Sequence, residues 1–161
     1  MLIRTATLND LEAVSKMEAA CFPPAEAATR EIFAQRLASY GNHFWLLFEG
    51  EQLLAFADGF VTNEPDLFDA MYEKAELHNE EGQWQMIFGL NTLPAFRRQG
   101  LAGQLLRRII ADARSQGRRG VVLTCKERLV PYYAKFGFRD EGASSKSRHG
   151  GAVWHQMRLE F

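Results

Sequence analysis

The chain has 161 residues, 47% hydrophobic and 24% charged, with a formal net charge of −1. A domain of this size buries roughly 70% of its unfolded surface, so one domain over residues 1–161 holds a core without a disulfide or metal. Cys21 and Cys125 stand alone with no CxxC spacing, which excludes a zinc site and a disulfide framework; neither a signal-peptide core nor an apolar run of ~18 residues occurs, so the expectation is a cytoplasmic protein with no membrane partner.

The charge is unevenly distributed. Residues 1–93 hold five Lys/Arg and fifteen Asp/Glu, whereas residues 94–161 hold fourteen Lys/Arg and five Asp/Glu. Such halves are either two solvated faces that differ, or a basic half that meets an anion and an acidic half that meets a cation.

In chain order, LIRTA reads as a strand. LNDLEAVSKMEAACF reads as a helix capped at Asn9 or Asp10, with Leu11, Val14, Met17 and Ala20 at helical spacing. FPPAE breaks it. ATREIFAQRLASYG is a second helix with Ile32, Phe33 and Leu37 on one face and Gly41 as its stop. HFWLLFE and QLLAFADGFVT are strands joined at Glu49-Gly50-Glu51, and PDLFDAMYEKAEL is a short acidic helix. QWQMIFGLNTL is a central strand whose interior Gly89 marks a bulge or a close backbone approach. After FRRQGLAGQ, the residues Leu101, Leu105, Leu106, Ile109, Ile110 and Ala113 recur at helical spacing, with Arg107, Arg108, Asp112 and Arg114 opposite. GVVLTC is a buried strand, ERLVPYYAKF a helix with Pro131 near its start, and GFRDEG and GAVWHQMRLEF are closing strands. Together these predict a single-domain α/β fold with a mixed central sheet and helices on both faces.

FRRQGLAGQ lies between a central strand and a long helix. The first amides of a helix lack internal partners and carry the positive end of its dipole, so this terminus is an anion site. Gly100, Gly103 and the small Ala102 let an anion approach the backbone, and Arg97 and Arg98 add full charge. GxxxxGK[ST] and GxGxxG are both absent, which disfavours a nucleotide-hydrolysing loop and a dinucleotide fold.

RRQGLA resembles the Arg/Gln-x-x-Gly-x-Gly/Ala signature of the GCN5-related N-acetyltransferases, here Arg97, Gly100 and Ala102. The likeness extends through LHNEEGQWQMIFGLNTLPAFRRQG and LTCKERLVPYYAKFGF to arylalkylamine-type members, over roughly residues 77–138. The resemblance implies the acetyltransferase fold, with two central parallel strands splayed apart and acetyl-CoA entering the split. The pyrophosphate would rest on the amides of Arg98, Gln99, Gly100, Leu101, Ala102 and Gly103. The pantetheine arm would pair with Leu90, Asn91 and Thr92 like an added strand. Tyr133 falls where the family places a tyrosine near the cofactor sulfur, the alternative being a packed aromatic; Tyr132 is expected in the core. Lys126 and the arginines of the long helix are either ribose-phosphate ligands or a solvated face.

The arylalkylamine enzymes carry two histidines on the central strand as a proton path. Here Met86 and Phe88 stand there, and neither moves a proton. The attacking amine still needs a base. The candidates are Asp58, a carboxylate within an apolar strand, together with His78, Glu80, Glu81 and His149; His43 and His155 are read as structural. Trp84, Met86, Phe88 and Trp154 either line an acceptor pocket or pack in the core. The expected activity is direct acetyl transfer from acetyl-CoA to an amine, with Tyr133 and Asp58 as catalytic groups, no metal, and a small-molecule amine rather than a protein as acceptor. A covalent route through Cys125 is disfavoured, since no His is adjacent to it in sequence. The alternative is a non-catalytic acyl-CoA-binding regulatory module that lost its base. A nucleic-acid partner is not expected, because the arginines lack interleaved aromatics and the acidic half repels phosphates. A homodimer is left open.

Overall fold

The computed structural model describes residues 1–161. β1 (Leu2–Thr5) leads through a 3-10 turn into α1 (Leu11–Cys21), followed by α2 (Arg30–Tyr40), β2 (Phe44–Glu49), β3 (Gln52–Asp58) and β4 (Val61–Thr62). The cap of the first turn is Thr7, not Asn9 or Asp10. Its hydroxyl accepts from the Asn9 amide, while Asp10 reaches back to the Thr7 amide and forms two hydrogen bonds with Arg4. The buried stripe of α1 runs through Val14, Met17 and Glu18, and Ala20 is exposed. In α2, capped by Thr29, Phe33, Arg36, Leu37 and Tyr40 are buried. Each helix therefore buries one charged residue on its apolar face.

The acidic segment yields one helical turn, α3 (Ala70–Glu73). Then come β5 (Trp84–Ile87), β6 (Gly89–Thr92), α4 (Leu101–Ser115), β7 (Gly120–Cys125), α5 (Val130–Ala134), β8 (Arg139–Ala143) and β9 (His155–Glu160). Pro131 lies in the first turn of α5, where its missing N–H costs nothing. Leu101, Leu105, Leu106, Ile109 and Ala113 bury one face of α4 against the sheet, each large side chain contributing about 1.5–3 kcal/mol. Asp112, expected on the outer face, instead accepts from Trp45 Nε1 at 2.8 Å and ties α4 to β2.

The sheet is two sheets. One has the order β1-β2-β3-β6, all antiparallel, and the other β4-β5-β7-β9-β8, with β5 and β7 parallel. Two segments that read as single strands cross between them. The chain leaves β3 at Gly59, where any side chain would collide with the Met86 carbonyl, and enters the second sheet as β4. The central strand breaks at Phe88. Met86 and Phe88 pack on the α1–α2 side and Leu90 on the α4 side, so the alternation slips by one residue at the glycine. β5 stays beside β7 while β6 goes to β3, and the two parallel strands part beyond Ile87–Leu123.

Ahead of β5, Glu80 gathers the His43, His78, Asn42 and Arg118 side chains at 2.9–3.1 Å. Desolvation pushes its carboxyl up, but hydrogen bonds from Asn42, His43 and His78 prevail and hold it at about 2, below the ordinary 4.5. A depressed carboxyl stabilises the fold above its unfolded value and loses that contribution as pH falls through the folded one. Thermal scans from pH 4.5 down to about 2 should therefore show the parent losing melting temperature faster than Glu80→Gln.

Candidate active site

Where β6 leaves β7, a cleft of about 210 Å³ opens. Gly89 and Leu90 form one wall, Thr124, Cys125 and Lys126 the other; α5 supplies Tyr133, and the closing loop His149 and Trp154. The α1–α2 segment supplies Glu18, Cys21, Phe22 and Arg36. A second cavity of about 400 Å³ shares Arg36, Tyr72 and His149 with the first, so these side chains stand between the two.

The turn ahead of α4 sits at the end of β6, held by a hydrogen bond from Arg97 Nε to the Thr92 carbonyl at 3.1 Å. Arg98 (φ 66°) and Gly100 (φ 81°) adopt left-handed conformations, and Gly100 caps the helix. The amides of Arg98, Gln99, Gly100, Leu101, Ala102 and Gly103 donate to no backbone carbonyl. A row of free N–H groups at the positive end of a 15-residue helix, flanked by two exposed arginines, offers donors and positive charge to an anion. A side chain at Gly103 would point toward the Phe136 ring and the Arg107 guanidinium rather than into open space. Lys126 is committed to Glu26 at 3.0 Å and lies over the Trp154 ring.

Of the two adjacent tyrosines, Tyr133 is the buried one and borders the cleft, while Tyr132 is half-buried against it. Burial, with Cys125 and Tyr132 adding, raises the Tyr133 phenol, so it is a proton-bearing group at neutral pH. Burial likewise pushes the Cys125 thiol up to about 11, with Asp140 adding, which leaves it a thiol rather than a nucleophilic thiolate.

Among the base candidates, His149 borders the cleft directly. Its Nε2–H donates to the Glu26 carbonyl, which leaves Nδ1 as the basic nitrogen, and its ring stacks on Tyr72 at 4.6 Å. His78, Glu80 and Glu81 do not line the cleft, and His78 Nδ1 already accepts from the Val61 amide. Asp58, expected as a catalytic group, is 1% exposed and lines neither cavity, its Oδ1 lying behind Gly89. Its Oδ2 accepts from Arg36 Nη1 at 2.9 Å; its Oδ1 has no partner. Desolvation drives this carboxyl up to about 6 against the pull of Arg36, with Glu18 pushing the same way as burial. Phe88 and Trp154 face the cleft, whereas Trp84 and Met86 are core residues, and His43 is buried with Nδ1 2.9 Å from Gln85 Oε1.

The sequence reading missed Glu18, Arg36 and Tyr72. The available signal was a charge on an apolar helical stripe: Glu18 follows Val14 by four residues, and Arg36 follows Phe33 by three.

A curated serotonin N-acetyltransferase from Mesocricetus auratus is 35% identical over 96 residues, which are 59% of this chain and 45% of that relative, so the match spans less than half of the relative's length. A GNAT-like decarboxylase, GphF, solved with isobutyryl-CoA, superposes with a TM-score of 0.84 at 20% identity over 99% of both chains. A GNAT family acetyltransferase from Brucella melitensis, solved with acetyl-CoA, gives 0.63 at 20% identity over 99% of this chain and 87% of that one. No helix is long and apolar enough to cross a membrane. Residues 11–138 match the acetyltransferase (GNAT) family model, and with the parted parallel strands and the free amides ahead of α4, the chain belongs to that family.

Proposed function

We propose that the protein transfers an acetyl group from acetyl-CoA to the amine of a small molecule by direct attack. The observation that carries this reading is the row of six free amides at the end of β6, adjoining a cleft bordered by a protonated tyrosine. Coenzyme A carries a pyrophosphate, which the amides of Arg98 to Gly103 would hold with Arg97 and Arg98 supplying charge. Its extended arm would pair with the open edge of β6 at Leu90, Asn91 and Thr92, which β7 does not cover. The family membership and the CoA complexes of its structural relatives support this cosubstrate.

The chemistry then runs in three moves. The ammonium gives one proton to a base, with Asp58 reached across Gly89 as the leading group and His149 Nδ1 as the second. The freed lone pair forms the C–N bond at the thioester carbonyl. As the adduct collapses the C–S bond breaks, the sulfur takes the proton of Tyr133, and the phenol recovers one from the adduct nitrogen, leaving a neutral amide. Because burial keeps Tyr133 protonated, it serves as donor to the departing thiolate.

Thiol release from acetyl-CoA across a panel of arylalkyl, polyamine and amino-acid acceptors tests the reading. Amine-dependent thiol release supports it. Tight acetyl-CoA binding with no thiol release for any amine replaces it with a non-catalytic acyl-CoA module, the reading favoured by Met86 and Phe88 in place of proton-carrying histidines. Amine-independent carbon dioxide release from a carboxyacyl-CoA would place the chain beside the GphF decarboxylase in activity.

A further inference from the structure

Beyond Ile87 and Leu123 the two parallel strands part, and one side chain spans the gap between them. Tyr72, from the single turn of α3, lays its ring 5.2 Å from the ring of Phe88, at the break between β5 and β6. Its hydroxyl meets Thr124 Oγ1, on β7, at 2.9 Å. The residue is 7% exposed and is fixed on two further sides. Its carbonyl accepts from Arg36 Nη2 at 2.8 Å, and its ring stacks on His149 with centroids 4.6 Å apart. Arg36 is held in turn by Asp58, and His149 by the Glu26 carbonyl, so the ring is braced between anchored neighbours.

Tyr72 borders both the cleft of about 210 Å³ and the second cavity of about 400 Å³. Ala25, Ala27, Ile32 and Ala70 give that second cavity small and aliphatic walls. A pantetheine arm paired along β6 would run from the turn ahead of α4 through Thr92 to Leu90. Its thioester then arrives at Gly89, and the acyl group it carries points at Phe88 and the Tyr72 ring. Every methylene added to that group must enter the space of a side chain anchored on four sides. Well-packed interiors resist such insertion, because neither the ring nor its neighbours can move without losing contacts.

We propose that Tyr72 gauges the acyl donor: its ring bars the root of the split and restricts the protein to short acyl-CoAs, while the second cavity is the space a longer alkyl chain takes once the ring is gone. This rests on the CoA reading above and adds to it a residue that sets donor specificity. The selection is by volume, a clash built against long chains rather than a contact made to short ones. The ring does the excluding, and the hydroxyl on Thr124 with the stack on His149 keeps it in place. α3, a single helical turn, is the element that carries this ring to the split.

The test titrates free CoA, acetyl-CoA, butyryl-CoA and hexanoyl-CoA calorimetrically into the full chain, with no amine present. The parent is expected to bind hexanoyl-CoA at least about tenfold more weakly than acetyl-CoA, the difference that about 1.4 kcal/mol produces, with butyryl-CoA between them. Tyr72→Ala should bind hexanoyl-CoA at least as tightly as acetyl-CoA, because the chain then passes into the second cavity. Tyr72→Phe, which keeps the ring, should discriminate like the parent. Affinity for free CoA reports folding in each variant. Should Tyr72→Ala not fold, Tyr72→Leu, shorter than tyrosine and still apolar, carries the same comparison. Equal affinity of the parent for acetyl-CoA and hexanoyl-CoA overturns the gauge. So does parent-like discrimination in a folded Ala or Leu variant, or its loss in Tyr72→Phe. A parent with no affinity for free CoA removes the cofactor reading and the gauge together, whereas tight CoA binding with a flat acyl series removes the gauge alone.

Discussion

Tyr133→Phe is expected to fold and bind acetyl-CoA like the parent and to lose at least about tenfold in kcat, general acid catalysis being typically worth about 10²–10⁴-fold. The ring of Tyr133 lies edge-on to Tyr132 and Phe138, with centroids 5.3 and 6.1 Å away, and phenylalanine keeps both contacts. Only the donor is removed. The thiolate must then leave with no proton supplied to the sulfur. Steady-state kinetics with the best amine, alongside cofactor titration, separates the two readouts, since a loss confined to the chemical step lowers kcat and leaves cofactor affinity in place. Parent-like turnover would make Tyr133 a packing residue and leave the departing sulfur to water or backbone groups.

Gly103→Asp should weaken acetyl-CoA binding by roughly 10²-fold or more. The reason differs from the one the sequence gives. A side chain here does not fill the anion's own space, because it would point at Phe136 and Arg107. It sits instead in the first turn of α4, three residues after the Gly100 cap, where a negative charge beside the free amides competes with the cofactor's phosphates for the positive end of the helix and opposes their charge. Each charge-assisted hydrogen bond lost costs about 1.5–3 kcal/mol. The same carboxylate favours the helix, so the melting temperature should hold or rise while cofactor affinity collapses. Calorimetric titration and a thermal scan on one sample distinguish this from unfolding, and unchanged affinity would remove the phosphate-cradle assignment. Arg98→Ala, which deletes one exposed charge and leaves the amides in place, should cost only about 1–3 kcal/mol of affinity.

The turn of free amides ahead of α4 was legible because its determinants are local in the chain. Small residues, arginines and a helix start fall within FRRQGLAGQ, and an unpaired helix terminus is an anion site wherever it occurs. The apolar period of α4 predicted its buried face, with Leu101, Leu105, Leu106, Ile109 and Ala113 buried and Ile110 half-buried. Gly89 was read as a bulge or a close backbone approach, and the alternation does slip there.

The acceptor side depends on contacts distant in sequence. Asp58 drew notice as a carboxylate in an apolar strand, but its partner Arg36 lies 22 residues earlier, and Glu18 meets Asn91 across 73 residues. Periodicity places a residue on a face of its own helix and carries no information about which strand that face will meet. Tyr132 and Tyr133 are adjacent and chemically alike. Only the docking of α5 against Phe138 and Cys125 decided that the second turns to the cleft. QWQMIFGLNTL likewise reads as one strand, because propensity and alternation describe a segment and not its neighbours. Its division between two sheets follows from which edges were free, β3 for Gly89–Thr92 and β7 for Trp84–Ile87, and that division is what opens the cleft. The sequence by itself determined most of the helices and strands, their apolar periods and the glycine- and arginine-bearing turn ahead of α4, since these follow from near-neighbour sterics and hydrogen bonding. Tertiary structure alone decided the parting of the strands and the gathering of Glu18, Asp58 and Asn91 at Gly89, because both arise where distant segments compete for the same backbone edges and the same buried space.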